Sequence, residues 1–176
     1  MTSHILTKET IASKTCVGLL HRGPYSQIGD TFKKFFASMN GGGGNKPEES
    51  NGDNNKCGAS TMDGKVLGLY LDDPQRTTPD NLRSYAALQI AKTASVDDFP
   101  KDFAKVEAPG GTAAVLTVTG SYSELGDAWQ GFEKRIKDEG WKISTNPNHI
   151  SQEVYVTMDM KDQAKSVTQL VLFLEE

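Results

Sequence analysis

The stretch Gly23-Pro24-Tyr25-Ser26-Gln27-Ile28-Gly29-Asp30-Thr31-Phe32-Lys33-Lys34-Phe35 returns 97 residues later as Gly120-Ser121-Tyr122-Ser123-Glu124-Leu125-Gly126-Asp127-Ala128-Trp129-Gln130-Gly131-Phe132. Six of the 13 positions are identical, and the pairs Ile28/Leu125 and Phe32/Trp129 stay apolar. Two copies are too few for a solenoid, in which stacked neighbours supply the core. They point to one fold unit used twice about a pseudo-twofold axis, and the seam between the units is the expected ligand site.

Each copy spells out a helix start. Ser26 and Ser123 are expected at the N-cap, with Asp30 and Asp127 in the first turn where a carboxylate suits the helix dipole. Ile28, Phe32, Phe35 and Met39 then form one apolar stripe, matched by Leu125, Trp129, Phe132 and Ile136. Both helices carry a glycine near the start, Gly29 and Gly126. An interior glycine costs about 1 kcal/mol relative to alanine, so the pair suggests either close backbone approach to the sheet or a frayed first turn.

Outward from these helices lie the strands. Thr15 to His21 precedes the first helix, and Lys65 to Leu71 and Ser84 to Ala91 follow it. Phe103 to Ala108, the turn Pro109-Gly110-Gly111, and Ala113 to Thr119 lead into the second helix, which ends near Gly140. Glu153 to Met158 and Val167 to Leu174 complete the set, the last apolar on both faces and therefore expected in the sheet interior. Residues 1–14 read as an N-terminal extension, 15–91 as module one and 103–174 as module two. Segment 40–61, rich in Gly, Asn and Glu, has no aromatic or branched aliphatic residue and reads as a flexible insertion in module one. Each module is strand, helix, strand, strand. The fold class expected is α+β: an antiparallel sheet with two helices on one face and a ligand groove on the other.

Composition narrows the function. A net charge of −4 without a Lys/Arg run argues against direct nucleic-acid binding. No apolar run approaches the ~20 residues that span a bilayer, and Met1 to Lys14 lack the apolar core of a signal peptide and the Arg-rich pattern of a transit peptide. A cytoplasmic location is expected. Cys16 and Cys57 make no disulfide framework, and His4, His21 and His149 lack metal-ligand spacing, so neither metal nor cofactor is expected. Gly41 to Gly44 is not a phosphate loop. Cys16 has no sequence hint of a paired base and reads as a buried structural cysteine.

The run Val66-Leu67-Gly68-Leu69-Tyr70-Leu71-Asp72-Asp73-Pro74, followed by Pro79-Asp80-Asn81-Leu82-Arg83, resembles the signature of GyrI-like small-molecule-binding domains, in the SOUL and effector-binding-domain superfamily. The paired Tyr-Ser segments are similar to that family's duplicated modules. Pro109-Gly110-Gly111-Thr112 and Glu153-Val154-Tyr155 also resemble family motifs. The resemblance runs from about Thr15 onward. The 40–61 insertion departs from compact members, and the absence of a preceding helix-turn-helix suits a stand-alone protein.

Glu153 and Tyr155, two apart on a strand, share a face. If that face lines the seam, the carboxylate can hold a cationic ligand while aromatic faces stack on it, or orient a water with a tyrosine as proton donor. Gly68 beside Tyr70 leaves room for a flat ligand, although Gly68 also suits a bulge and Tyr70 also suits core filling. Trp141, after Gly140, reads as a lid over the cleft or an anchor for the turn. Tyr25 and Tyr122 read as symmetric packing residues, Trp129 and Phe132 as core, and Asp72 and Asp73 as partners of turn backbone. The resemblance implies binding of aromatic, lipophilic or cationic small molecules, with Glu153 as polar anchor and Tyr70, Tyr155 and Trp141 as walls. It also leaves two alternatives: a hydrolase opening cyclopropane-bearing genotoxins, with Glu153 as base assisted by a tyrosine such as Tyr155, and a protein-interaction inhibitor of the kind that restrains DNA gyrase.

Overall fold

Along the third strand the side chains alternate between two cores. Val66 packs with one helix, whereas Leu67 and Leu69 are fully buried in a cluster on the other side. The computed structural model describes residues 3–40, 62–159 and 161–175. Within them run β1 (Ser3–Ile11), β2 (Lys14–Arg22), α1 (Ile28–Asn40), β3 (Met62–Tyr70), β4 (Arg83–Ile90), β5 (Ala104–Ala108), β6 (Gly111–Thr119), α2 (Leu125–Asp138), β7 (Ser151–Thr157) and β8 (Val167–Phe173). The strands form one antiparallel sheet in the order β1-β6-β8-β7-β3-β4-β2-β5. The α+β class expected from the sequence is the class observed.

The sheet curls. β1 and β2 are joined only by Ala12 and Ser13, yet they lie near opposite ends of the strand order. Gly110, in the β5–β6 turn, closes the same corner; a side chain there would collide with the Ile11–Ser13 backbone. The inside of the curl is lined by Cys16, Leu67, Val115, Val171 and Phe173, drawn from both ends of the sheet. Both helices pack on the outside. α1 sets Phe35 against Val17, Val66 and Leu88, and α2 sets Phe132 and Ile136 against Leu116 and Leu170. β8 lies between β6 and β7, the interior place its two apolar faces required.

The apolar stripes were legible; the helix starts were not. Each helix is preceded by a short 3-10 turn, Tyr25–Gln27 and Tyr122–Glu124, so Ser26 and Ser123 lie within the turns and not at an α-helical cap. In the second copy Ser121 does the capping. Its hydroxyl accepts from the Ser123 amide, while the Glu124 carboxylate accepts from the Ser121 amide at 3.0 Å. Pro24 stands where a second Ser121 would, and it has no side-chain group to offer. Gly29 and Gly126 are exposed, and a methyl group built at either meets nothing within 4 Å. Close approach to the sheet is therefore not their reason. Residues 3–11 of the stretch read as an extension pair with β6 along its full length. Of the 40–61 insertion, Asn40 ends α1 and 41–61 lie outside the described residues.

Candidate functional site

Because α1 lies over β2 and β4 and α2 over β6, the outer surface of β3 and β7 is left between the two helices. That strip carries Gly68 and Tyr70 from β3 and Glu153 and Tyr155 from β7, with Gly68 directly opposite Glu153. The sequence placed these residues in a groove on the face without helices. They occupy the helix-bearing face, because direct cross-strand partners share a side and Tyr155 packs against both helix-covered clusters.

Glu153 is 5% exposed. One oxygen accepts from the Trp129 indole N–H at 2.6 Å, the other from the Tyr155 hydroxyl at 2.6 Å, and the Tyr70 phenol lies close enough to feel the carboxylate's charge. No ion pair among the described residues engages it. A buried carboxylate usually requires a positive partner or several donors; this one has donors only. Burial, and then the Glu153 charge, push the phenols of Tyr70 and Tyr155 well above the ordinary tyrosine range. Both therefore stay protonated, and Tyr155 keeps donating to Glu153.

Aromatic rings from both helices, the turns before them and the two strands close over the carboxylate. Tyr70 meets Tyr25 edge-on with centroids 4.8 Å apart and Trp129 at 6.2 Å. Tyr155 meets Phe32 of α1 at 5.4 Å and Tyr122 at 5.8 Å. Spacings of this kind stabilise each ring pair by about 0.5–1.5 kcal/mol. The Tyr122 hydroxyl and Ser84 Oγ, the latter opposite Tyr70 in the β3–β4 register, are buried without a protein hydrogen-bond partner. Both offer polar groups beside the aromatic cluster.

Tyr25 is more than a packing residue. Its hydroxyl donates to the Asp72 carbonyl at 2.7 Å and accepts from the Asp72 amide at 2.9 Å, tying the Tyr25 turn to the loop after β3. Burial pushes its phenol up to about 12. Asp72 accepts from the Arg83 amide at 2.8 Å and pairs bidentately with the Arg83 guanidinium at 3.0 and 2.8 Å, which holds its carboxyl below the usual range. The backbone role read from the sequence is present, with an ion pair added.

Trp141 is not part of this cluster. It follows α2 with its amide donating to the Ile136 carbonyl at 3.1 Å, and its ring lies under the Lys8 ammonium at 6.0 Å beside Leu174. Of the two readings it anchors the turn. The residue missed was Trp129, read as core because it continues the α2 stripe. The signal lay in the repeat itself: Phe32, its counterpart, carries no N–H, and Trp129 does. Cys16 is fully buried with its thiol pushed up to about 12 by desolvation, so it stays an unreactive thiol. His21 is occupied by Thr31 at 2.8 Å. No group of acidic, His or Cys side chains suited to a metal occurs among the described residues, and no helix there is long and apolar enough to cross a membrane.

The fold is thus a curled antiparallel sheet with two helices on its outer face and a buried, ring-covered carboxylate between them. The chain belongs to the GyrI-like small molecule binding domain family, whose pattern matches residues 4–168. Over 78 residues it is 31% identical to DNA gyrase inhibitor 2 of Dickeya dadantii (strain 3937), a stretch covering 44% of this chain and half of that relative. Among solved structures it resembles a chain of the EcmrR–DNA complex in EcmrR-RPo, with a TM-score of 0.69 and 13% identity, over 98% of this chain and 58% of that one. It also resembles SAV2435 bound to tetraphenylphosphonium, with a TM-score of 0.61 and 13% identity, over 97% and 94% of the two chains. At these identities the structures share the fold.

Proposed function

We propose that the cleft between α1 and α2 binds lipophilic aromatic cations, with Glu153 as the counter-charge and Tyr70, Tyr155 and Trp129 as walls. One observation carries the reading: a carboxylate 5% exposed, ringed by aromatics and engaged by none of the ion pairs among the described residues. Such a carboxylate attracts a cation strongly, because no water screens it, and ring faces add about 0.5–2 kcal/mol each. Hydrated cations such as sodium gain little there, since the cage offers too few oxygens to replace their water. A cation whose charge is wrapped in aromatic groups gives up little hydration on entry, which is the chemistry of the ligand carried by SAV2435.

The rings that would stack on the ligand now cover Glu153, so entry turns Tyr70 and Trp129 aside. The test is calorimetric titration with tetraphenylphosphonium and, as neutral counterpart, triphenylphosphine oxide. Glu153→Gln weakens the cation by at least about tenfold, or ~1.4 kcal/mol, and leaves the neutral compound nearly unchanged. Equal loss for both compounds removes the counter-charge role. A second reading rests on the 2.6 Å contact between Tyr155 and Glu153: a carboxylate and a phenol so placed suit a base and an acid acting on a strained electrophile. Ring-opened product from a cyclopropane-bearing alkylator, absent with Glu153→Gln, is its signature. A cytoplasmic setting belongs to the same proposal.

A further inference from the structure

Glu153 and Val154 are neighbours on β7 that face opposite sides of the sheet, and Val154 lines a cavity of about 320 Å³ inside the curl. That volume lies within the range of small-molecule sites. Its floor is apolar, made by Val115, Val154 and Val171 from β6, β7 and β8. Its mouth is charged. Lys14 of β2, Lys65 of β3 and Glu9 of β1 all line it.

The charges are not equivalent. The Glu9 carboxylate already accepts from the Thr7 hydroxyl at 2.5 Å. Lys14 has only a long contact, 3.5 Å, to the Ala12 carbonyl, and Lys65 appears in none of the ion pairs among the described residues. Burial and the nearby Lys65 ammonium lower the pKa of Lys14, so the two cations repel one another across the mouth. The side-chain amides of Gln89 and Gln169 also line the cavity. Two ammoniums above an apolar floor match a molecule with one anionic end and one greasy end.

We propose that the inner face of the sheet holds a second small-molecule site, behind the Glu153 cleft, for amphipathic carboxylates. The carboxylate sits between Lys14 and Lys65 and takes charge-assisted hydrogen bonds from both. The hydrocarbon body lies on Val115, Val154 and Val171. The site has the opposite charge preference from the Glu153 cleft and shares with it only β3 and β7, through their opposite faces.

Calorimetric titration of the full chain with octanoate, octylammonium and octanol tests it. Octanoate is expected to bind and the other two to bind at least about fivefold more weakly, the difference a charge-assisted bond makes. Lys14→Gln and Lys65→Gln, each at the mouth and each checked by thermal melting, are expected to weaken octanoate to a similar extent while leaving tetraphenylphosphonium titrations unchanged. Glu153→Gln is expected to leave octanoate unchanged, which keeps this site's outcome separate from that of the cleft. No octanoate uptake at millimolar concentration, octanol binding as tightly as octanoate, or uptake indifferent to both lysine changes overturns the proposal.

Discussion

Gly68 faces Glu153 across the β3–β7 pair, and the Tyr70 ring folds back over it: a methyl group built at Gly68 lies 3.2 Å from the Tyr70 hydroxyl oxygen and 3.3 Å from its ring. The missing side chain is what lets that phenol lie over the strand position opposite the carboxylate. The sequence left two uses for Gly68, room for a ligand or a bulge. The register shift in β3 falls between Met62 and Val66, and Gly68 is regularly paired. The room is taken by Tyr70.

Gly68→Ala is therefore expected to displace the Tyr70 ring by a few tenths of an ångström and weaken tetraphenylphosphonium binding by roughly three- to tenfold. Stability is expected to move by less than about 1 kcal/mol, because alanine's gain over glycine in a strand offsets the crowding. Calorimetry and thermal melting check the two parts. In a Tyr70→Ala background the same change has nothing to push against, so the double variant should bind no worse than Tyr70→Ala alone. Additive losses would mean that Gly68 acts through something other than Tyr70.

The phenols give a pH signature. Tyr25, Tyr70 and Tyr155 hold their protons more tightly in the folded chain than an ordinary tyrosine does, Tyr25 up to about 12. A raised folded pKa contributes stability that is fully present below the unfolded value of about 10 and is lost as pH rises toward the folded values. Phenolate absorbance of the native chain, which has five tyrosines, should thus develop in at least two stages, with the later one merging into unfolding. In denaturant the stages should collapse into one near pH 10. Glu153→Gln removes the negative charge beside Tyr70 and Tyr155 and should move the later stage to lower pH. A single stage in the native chain would mean that the cleft is open to water.

What was legible in the sequence was whatever repeats or alternates. The stripes Ile28–Phe32–Phe35 and Leu125–Phe132–Ile136, the strand at Val167–Phe173 and the shared face of Glu153 and Tyr155 all follow from periodicity. β1 was not legible. Its residues Thr7, Lys8, Glu9 and Thr10 are those of an exposed edge strand, which reads as polar chain until β6 is known to lie beside it. The face of the site was not legible either. Alternation says which residues share a side and not which side the helices cover; that depends on how the sheet curls. Trp129 lay hidden for a similar reason, since a helix stripe marks its residues as core and does not show that one N–H points at a strand from the same half.

The two tryptophans, Trp129 and Trp141, make the site directly observable. Trp129 touches Glu153 and Tyr70, while Trp141 lies beyond the far end of α2 against Lys8. A cation entering the cleft must displace the indole N–H from Glu153 or stack on its ring, and either changes the emission of Trp129. With Trp141→Phe, tetraphenylphosphonium should still change the fluorescence in a saturable way, at the wild-type midpoint. With Trp129→Phe the signal should vanish while binding persists, because phenylalanine keeps a ring to stack on and the indole hydrogen bond to Glu153 is one that entry has to break. Phenylalanine keeps much of the ring packing, so stability should fall less than for Trp129→Ala, where about 3–5 kcal/mol is expected. A signal that follows Trp141 instead would place the ligand against Lys8 and Leu174 and not between the helices.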